Sequence, residues 1–272
     1  MKINLIEYFE NTIKKYADKV AVWDKERYAT FAELENYSKS LAWKIFQDNE
    51  IFKKPIAVYL NKSIESVYAD MAIIYSGNFY MNLDVKTPAE RIKNILELIQ
   101  PAAIITNNQF EKNIKNVIPA GIDMINLDSV IWDDIKCDDK TLLQRLETLI
   151  DTDPLCIINT SGSTGTPKGV VLNHRSFFDF TEWAQEEFGF TDHEVIGSLS
   201  PLVFDIYSYE LCLLMSRGST MVLIPDNLSA FPVTILKLLE EKKVSFIFWV
   251  PTIMVNIANM DLLSQIQLPD LK

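Results

Sequence analysis

Short runs of β-branched and aromatic residues alternate along this chain with stretches whose apolar positions recur every three to four residues. The first kind predicts strands at VAVWD (20–24), PIAVYL (55–60), AAIIT (102–106), LCIINT (155–160), VIGSLS (195–200), MVLIP (221–225) and VSFIFWV (244–250). The second predicts helices over 31–48, 63–76, 88–99, 174–188, 206–216 and 231–242, preceded by an amphipathic helix in MKINLIEYFENTIKKYAD. Two helix starts read as capping boxes, Thr30 to Glu33 and Thr87 to Glu90, the second with Pro88 at the first helical position. Strands that are apolar nearly throughout, separated by helices, imply an α/β fold with a largely parallel, helix-covered sheet. The acidic, weakly patterned segment 128–154 reads as a surface excursion, with a subdomain boundary as the alternative.

Composition narrows the functional classes. With 272 residues, 48% of them hydrophobic, the chain can bury a sizeable core as one large domain or two smaller ones. A net charge of −11 without any basic run argues against a nucleic-acid partner, because counterion release needs clustered Lys and Arg. No apolar run reaches the ~18–20 residues that span a bilayer, and the N-terminus lacks a signal-peptide core. The reading is a cytoplasmic protein without a membrane partner. Cys137, Cys156 and Cys212 fit no metal-ligand spacing, and His174 and His193 are too few for a His-rich metal site.

The candidate chemistry sits in INTSGSTGTPKGVVLNH, 158–174. Three of the chain's eight glycines, Gly162, Gly165 and Gly169, fall here among five hydroxyl residues and Lys168. Glycines let backbone N–H groups turn toward an anion, hydroxyls add donors, and the lysine adds a positive charge, which together suit a polyphosphate. The spacing is neither G-x-x-x-x-G-K-[ST] nor G-x-G-x-x-G. The competing reading is a bare surface hairpin, which needs fewer glycines and hydroxyls.

TSGSTGTPKG at 160–169 resembles the signature phosphate loop of the adenylate-forming enzymes, the superfamily of acyl-CoA synthetases, luciferases and peptide-synthetase adenylation domains. The resemblance implies that Thr160, Ser161, Gly162, Ser163, Thr164, Gly165 and Thr166 bind the phosphates of ATP, which carries Mg²⁺. It also implies that Lys168 is catalytic, holding the loop or steadying the departing pyrophosphate. Further matches fall in order. YATFAEL, 28–34, resembles the "sYxEL" helix start, and GNFYMNLDVKTPAER, 77–91, resembles "GaaYvPldp.yPaeR". The second match departs at Asn78 and Asn82, where a small residue and proline are usual. VVLNHRSF places His174 at the histidine of "v.v.H..l", as a helix cap or in a direct role. The resemblance covers essentially the whole chain and implies the N-terminal core of such an enzyme, with helix-covered, largely parallel sheets.

PLVFDIYSYEL, 201–211, resembles the "FD.S..E" motif of amino-acid adenylation domains, with Tyr207 where serine is usual. By that resemblance Asp205 pairs with the substrate's α-ammonium group, Phe204 gates the acyl tunnel, and Ile206 and Tyr209 line the side-chain pocket. FIFWVPT, 246–252, resembles the next pocket segment, so Phe248 faces the substrate while Trp249 and Pro251 pack. A carboxylate in an apolar pocket wants a cation, which fits an ammonium-bearing substrate. The bland alternative makes Asp205 an N-cap or first-turn acid.

The implied reaction joins an amino acid to AMP with release of pyrophosphate, then passes the acyl group to the phosphopantetheine thiol of a carrier protein. D-alanyl carrier protein ligases share the aspartate and fit equally well. No "YGPTE"-like motif, downstream ribose-binding aspartate or small C-terminal domain with its lysine follows Lys272. The expectation is therefore an incomplete core that binds ATP weakly and does not turn over alone. Alternatives are an acyl- or aryl-CoA synthetase and a non-catalytic homologue.

Overall fold

The computed structural model describes residues 3–49, 51–161 and 167–272. Helix α1 (Leu5–Tyr16) is followed by the hairpin β1 (Val20–Asp24) and β2 (Arg27–Thr30) and by α2 (Phe31–Asn49). Strand–helix alternation then gives β3 (Pro55–Val58), α3 (Ile64–Tyr75), β4 (Phe79–Asn82), α4 (Ala89–Ile99), β5 (Ala103–Thr106), α5 (Asn108–Ile114) and β6 (Asp123–Asn126). Two 3₁₀ turns and α6 (Asp139–Leu146) lead to a second hairpin, β7 (Pro154–Ser161) and β8 (Pro167–Asn173). The chain continues through α7 (His174–Phe188), β9 (Val195–Ser198), α8 (Asp205–Arg217), β10 (Thr220–Leu223), α9 (Pro232–Glu241) and α10 (Pro251–Asn259).

The strands form a four-stranded sheet in the order β2-β1-β10-β9 and a six-stranded sheet in the order β6-β5-β3-β4-β7-β8. Each is parallel except for one antiparallel hairpin at an edge, β1 with β2 and β7 with β8. Period-two alternation sends neighbouring side chains to opposite faces. Ile56 and Val58 of β3 join the apolar cluster shared with α1, α2, α3 and α8. Ala57, between them, joins the cluster of α4 and α5 on the far face. In β10, Met221 and Leu223 face the shared cluster, and Val222 faces α9 and α10.

Helix α3 packs on β3 and β4 of the larger sheet and on β1 of the smaller. All of its residues except Glu65 are buried. Ser63 and Ser66 close a reciprocal capping box at its start. The capping box at Thr30 is present too, with Thr30 N donating to Glu33 Oε2 at 2.7 Å and Glu33 N to Thr30 Oγ1 at 3.2 Å.

Two expectations need correction. Pro88 is the N-cap of α4 rather than its first helical residue, and no side chain caps there. Thr87 N is engaged by the Asp84 carbonyl in a turn, and Arg91 N and Ile92 N close on the Pro88 carbonyl instead. The run 244–250 is not a strand: only Phe246 bridges to Ile196. The next acceptor on the β9 edge, the Gly197 carbonyl, also receives Trp249 Nε1 at 2.8 Å, and Pro251 then starts α10.

His174 is buried in the first turn of α7, whose N-cap is Asn173. Its Nδ1 accepts 3.3 Å from Leu5 N, so it satisfies an orphan donor in the first turn of α1 rather than of its own helix. Burial holds the imidazole down to about 4, against an ordinary 6.5. A depressed histidine contributes stability that is present above pH 6.5 and lost as pH falls toward 4. Relative to His174→Gln, the native chain should therefore lose about 3 kcal/mol across that window. Urea unfolding of both proteins at stepped pH measures this, and parallel stability curves would contradict it.

Candidate active site

The β7–β8 hairpin carries the glycine-rich loop. Thr160 and Lys168 face each other in its last described register pairs, and both are exposed. Thr160 Oγ1 donates to the Lys168 carbonyl at 3.3 Å, while the Lys168 ammonium makes no ion pair among the described residues. Ser161 pairs through its backbone with Pro167. Gly162, Ser163, Thr164, Gly165 and Thr166 lie outside the described residues. Gly169 serves packing rather than a turn. A Cβ there would stand 2.7 Å from Ile99 Cδ1 of α4 and 2.9 Å from Ile157 Cγ2 of β7.

Helix α8 begins at the other half of the site. Phe204 is its N-cap residue, without a side-chain cap, and is 51% exposed. Asp205, the first helical residue, is exposed too, and its Oδ1 accepts 3.0 Å from Ile206 N. The carboxylate is thus solvated at a helix N-terminus, where the dipole favours it, rather than sunk in an apolar pocket. It nevertheless lines two adjoining cavities together with Ile206 and Phe248. One, of about 340 Å³, adds Phe204, Pro201, Trp249 and Ile253. The other, of about 460 Å³, adds Leu172, Phe177, Phe180 and Tyr209. Tyr209 is buried edge-on between Phe180, at 4.8 Å, and Phe248, at 5.9 Å. Helix α7 thereby joins the hairpin, through Leu172 and Phe177, to the cavity beside Asp205.

Sequence reasoning missed the buried polar groups behind α8. Lys62, just before α3, donates to the carbonyls of Ser198, Leu199 and Ser200 at 3.1, 3.0 and 3.1 Å and meets Asp226 Oδ1 at 3.4 Å. It organises the turn that forms one wall of the first cavity. Burial pulls its ammonium below the ordinary value, and the charges of Asp226 and Glu210 oppose that pull. Glu210, fully buried one turn into α8, accepts 2.6 Å from Ser198 Oγ, and burial raises its carboxyl.

Asp70 of α3 is likewise fully buried. Its Oδ2 accepts from Tyr207 Oη and from Asn82 Nδ2, both at 2.9 Å. Loss of solvent pushes this carboxyl up to about 7 despite the two donors. The only signals in the sequence were the unusual Asn82 and Tyr207; nothing there linked them to each other or to Asp70.

The fold is that of adenylate-forming enzymes. It superposes on 99% of the chain, with a TM-score of 0.84 and 21% identity, onto 29% of the peptide synthetase FmoA3 bound to α-methyl-L-serine-AMP. The o-succinylbenzoate CoA synthetase of Bacillus subtilis matches 93% of the chain and 63% of its own, with a TM-score of 0.79 and 21% identity. Residues 9–272 match the family described as AMP-binding enzyme, and the chain belongs to that family. Among relatives, zwittermicin A synthase ZmaJ of Bacillus cereus is 26% identical over 90% of this chain and 45% of its own length. Tyrocidine synthase 1 of Brevibacillus parabrevis is 26% identical over 80% of this chain and 20% of its own. The chain thus spans less than half the length of these relatives.

Lys62→Met should cost about 3 kcal/mol of stability in urea unfolding, because it strands three carbonyls and removes the cation facing buried Glu210 and half-buried Asp226. A cost below about 1 kcal/mol would mean that water replaces the ammonium.

Proposed function

We propose that this chain provides the phosphate loop and acid-binding face of an amino-acid adenylating ligase. Activation of a carboxylic acid as its adenylate is the chemistry of its family, and peptide synthetases are prominent among its relatives. The observation that favours an amino acid is Asp205, an anion at the shared wall of two otherwise largely apolar cavities. There the carboxylate meets a substrate ammonium, and the substrate's apolar portion enters the aromatic cavity of Phe180, Tyr209 and Phe248. Phe204, exposed at the rim, flanks the entrance.

ATP supplies the electrophilic α-phosphorus and, with Mg²⁺, a leaving pyrophosphate. Thr160 and Lys168 fit a polyphosphate, being an exposed hydroxyl and a cation free of ion pairs among the described residues, on the two arms of the glycine-rich loop. In this reading Mg²⁺ comes bound to the nucleotide. Lys168 offsets the charge that builds on pyrophosphate, and Asp205 fixes the acid for in-line attack. The activated acyl group then passes to the phosphopantetheine thiol of a carrier protein in the cytoplasm.

A second reading, an acyl- or aryl-CoA synthetase, is favoured by the exposure of Asp205 and its bond to Ile206 N, which suffice for a structural first-turn role. ATP–pyrophosphate exchange by the full-length gene product separates the two. Exchange driven by amino acids, with Asp205→Ala raising their KM at least about tenfold, supports the first. Exchange driven equally by acids lacking the α-amino group supports the second. Lys168→Ala should lower kcat about a hundredfold under either reading without changing thermal unfolding.

A further inference from the structure

Two positions where the chain departs from its family's motif residues, Asn82 and Tyr207, converge on one side chain. Asn82 ends β4, Tyr207 is the third residue of α8, and both donate to the same oxygen of Asp70, midway along α3. All three residues are buried. On stability grounds alone this is a poor arrangement, since Asp70 Oδ1 and Asn82 Oδ1 are buried without partners among the described residues. What it supplies is direction. Among the described residues, the N-cap of α8 has no capping side chain and the Asp205 carboxylate accepts only from Ile206 N. Beyond the packing of its buried face, the start of α8 is held in direction by two hydrogen bonds, Tyr207 to Asp70 and, one turn on, Ser198 to Glu210. A roll of roughly 20° displaces a side-chain end ~6 Å from the axis by about 2 Å, enough to move the Asp205 carboxylate from one cavity toward the other.

We propose that Asp70 is a positioning residue of the amino-acid site: by holding the Tyr207 hydroxyl it fixes the roll of α8, and so the direction in which Asp205 and Ile206 meet the substrate. The inference rests on the reading of Asp205 as the ammonium partner. Displacements of this size at a binding group weaken the correctly oriented complex far more than they weaken binding of a co-substrate elsewhere.

The test is ATP–pyrophosphate exchange by the full-length gene product, with KM measured separately for amino acid and ATP. Tyr207→Phe, which removes one oxygen and keeps the ring, and Asp70→Leu should each raise the amino-acid KM about tenfold and leave the ATP KM within about twofold. Asp70→Asn keeps an acceptor for Tyr207 and should stay within about threefold of the native enzyme. Should Asp70→Leu fail to fold, Tyr207→Phe and Asp70→Asn still decide the matter. An unchanged amino-acid KM in Tyr207→Phe, or equal shifts in both KM values, overturns the positioning role while the ligase reading stands. Exchange that no amino acid drives in the native enzyme removes that reading, and this inference with it.

Discussion

A helix with no solvent face has to be satisfied on every side, and α3 is such a helix. It lies between the two sheets, so whatever its side chains bind is fixed relative to both. Ser63 and Ser66 close its first turn internally, Lys62 gathers the turn after β9, and Asp70 takes hydrogen bonds from β4 and α8. The polar residues of this buried region act as fixed points at which one sheet and the cavity-lining helix α8 register against the other sheet. Apolar contacts alone tolerate sliding; a lysine shared among three carbonyls does not.

The alternation of apolar runs and helical periodicity made most of this architecture legible. VAVWD coincides with β1, and the helices expected at 31–48, 63–76 and 174–188 needed at most a residue's adjustment at either end. The missed strands are those where periodicity carries least information. They are β2, β4 and β6, whose ends carry charged or amide residues that break the apolar run, and β8, which hid behind the loop residues that precede it. The false strand at 244–250 has strand composition, but a ladder needs free acceptors, and an indole had taken one of them.

For the site, motif residues announced themselves because chemistry restricts their types. Phe204, Asp205, Ile206, Tyr209 and Phe248 do gather around adjoining cavities. Their supports stayed invisible. Lys62 and Asp70 belong to stretches whose neighbours read as ordinary helix or turn, and Glu210 stood in the quoted motif without a role; the importance of all three comes from burial and from partners distant in the chain. Phe180 was equally hidden, since an aromatic on a helix signals packing until a cavity is seen beside it.

The pairing of β1 with β10 has a consequence for the birth of the molecule. All strands of the six-stranded sheet come from residues 55–173, so it can assemble from chain already synthesised while β9 and β10 are still to come. The smaller sheet cannot: β1, made among the first, has no parallel partner until residue 220 is available. Helix α1 waits as well, because Thr12 binds the Met215 carbonyl and Leu5 the His174 ring. Helix α1 and β1 thus complete their packing only once the chain through β10 has been made, although α1 can already rest on α2 and α3.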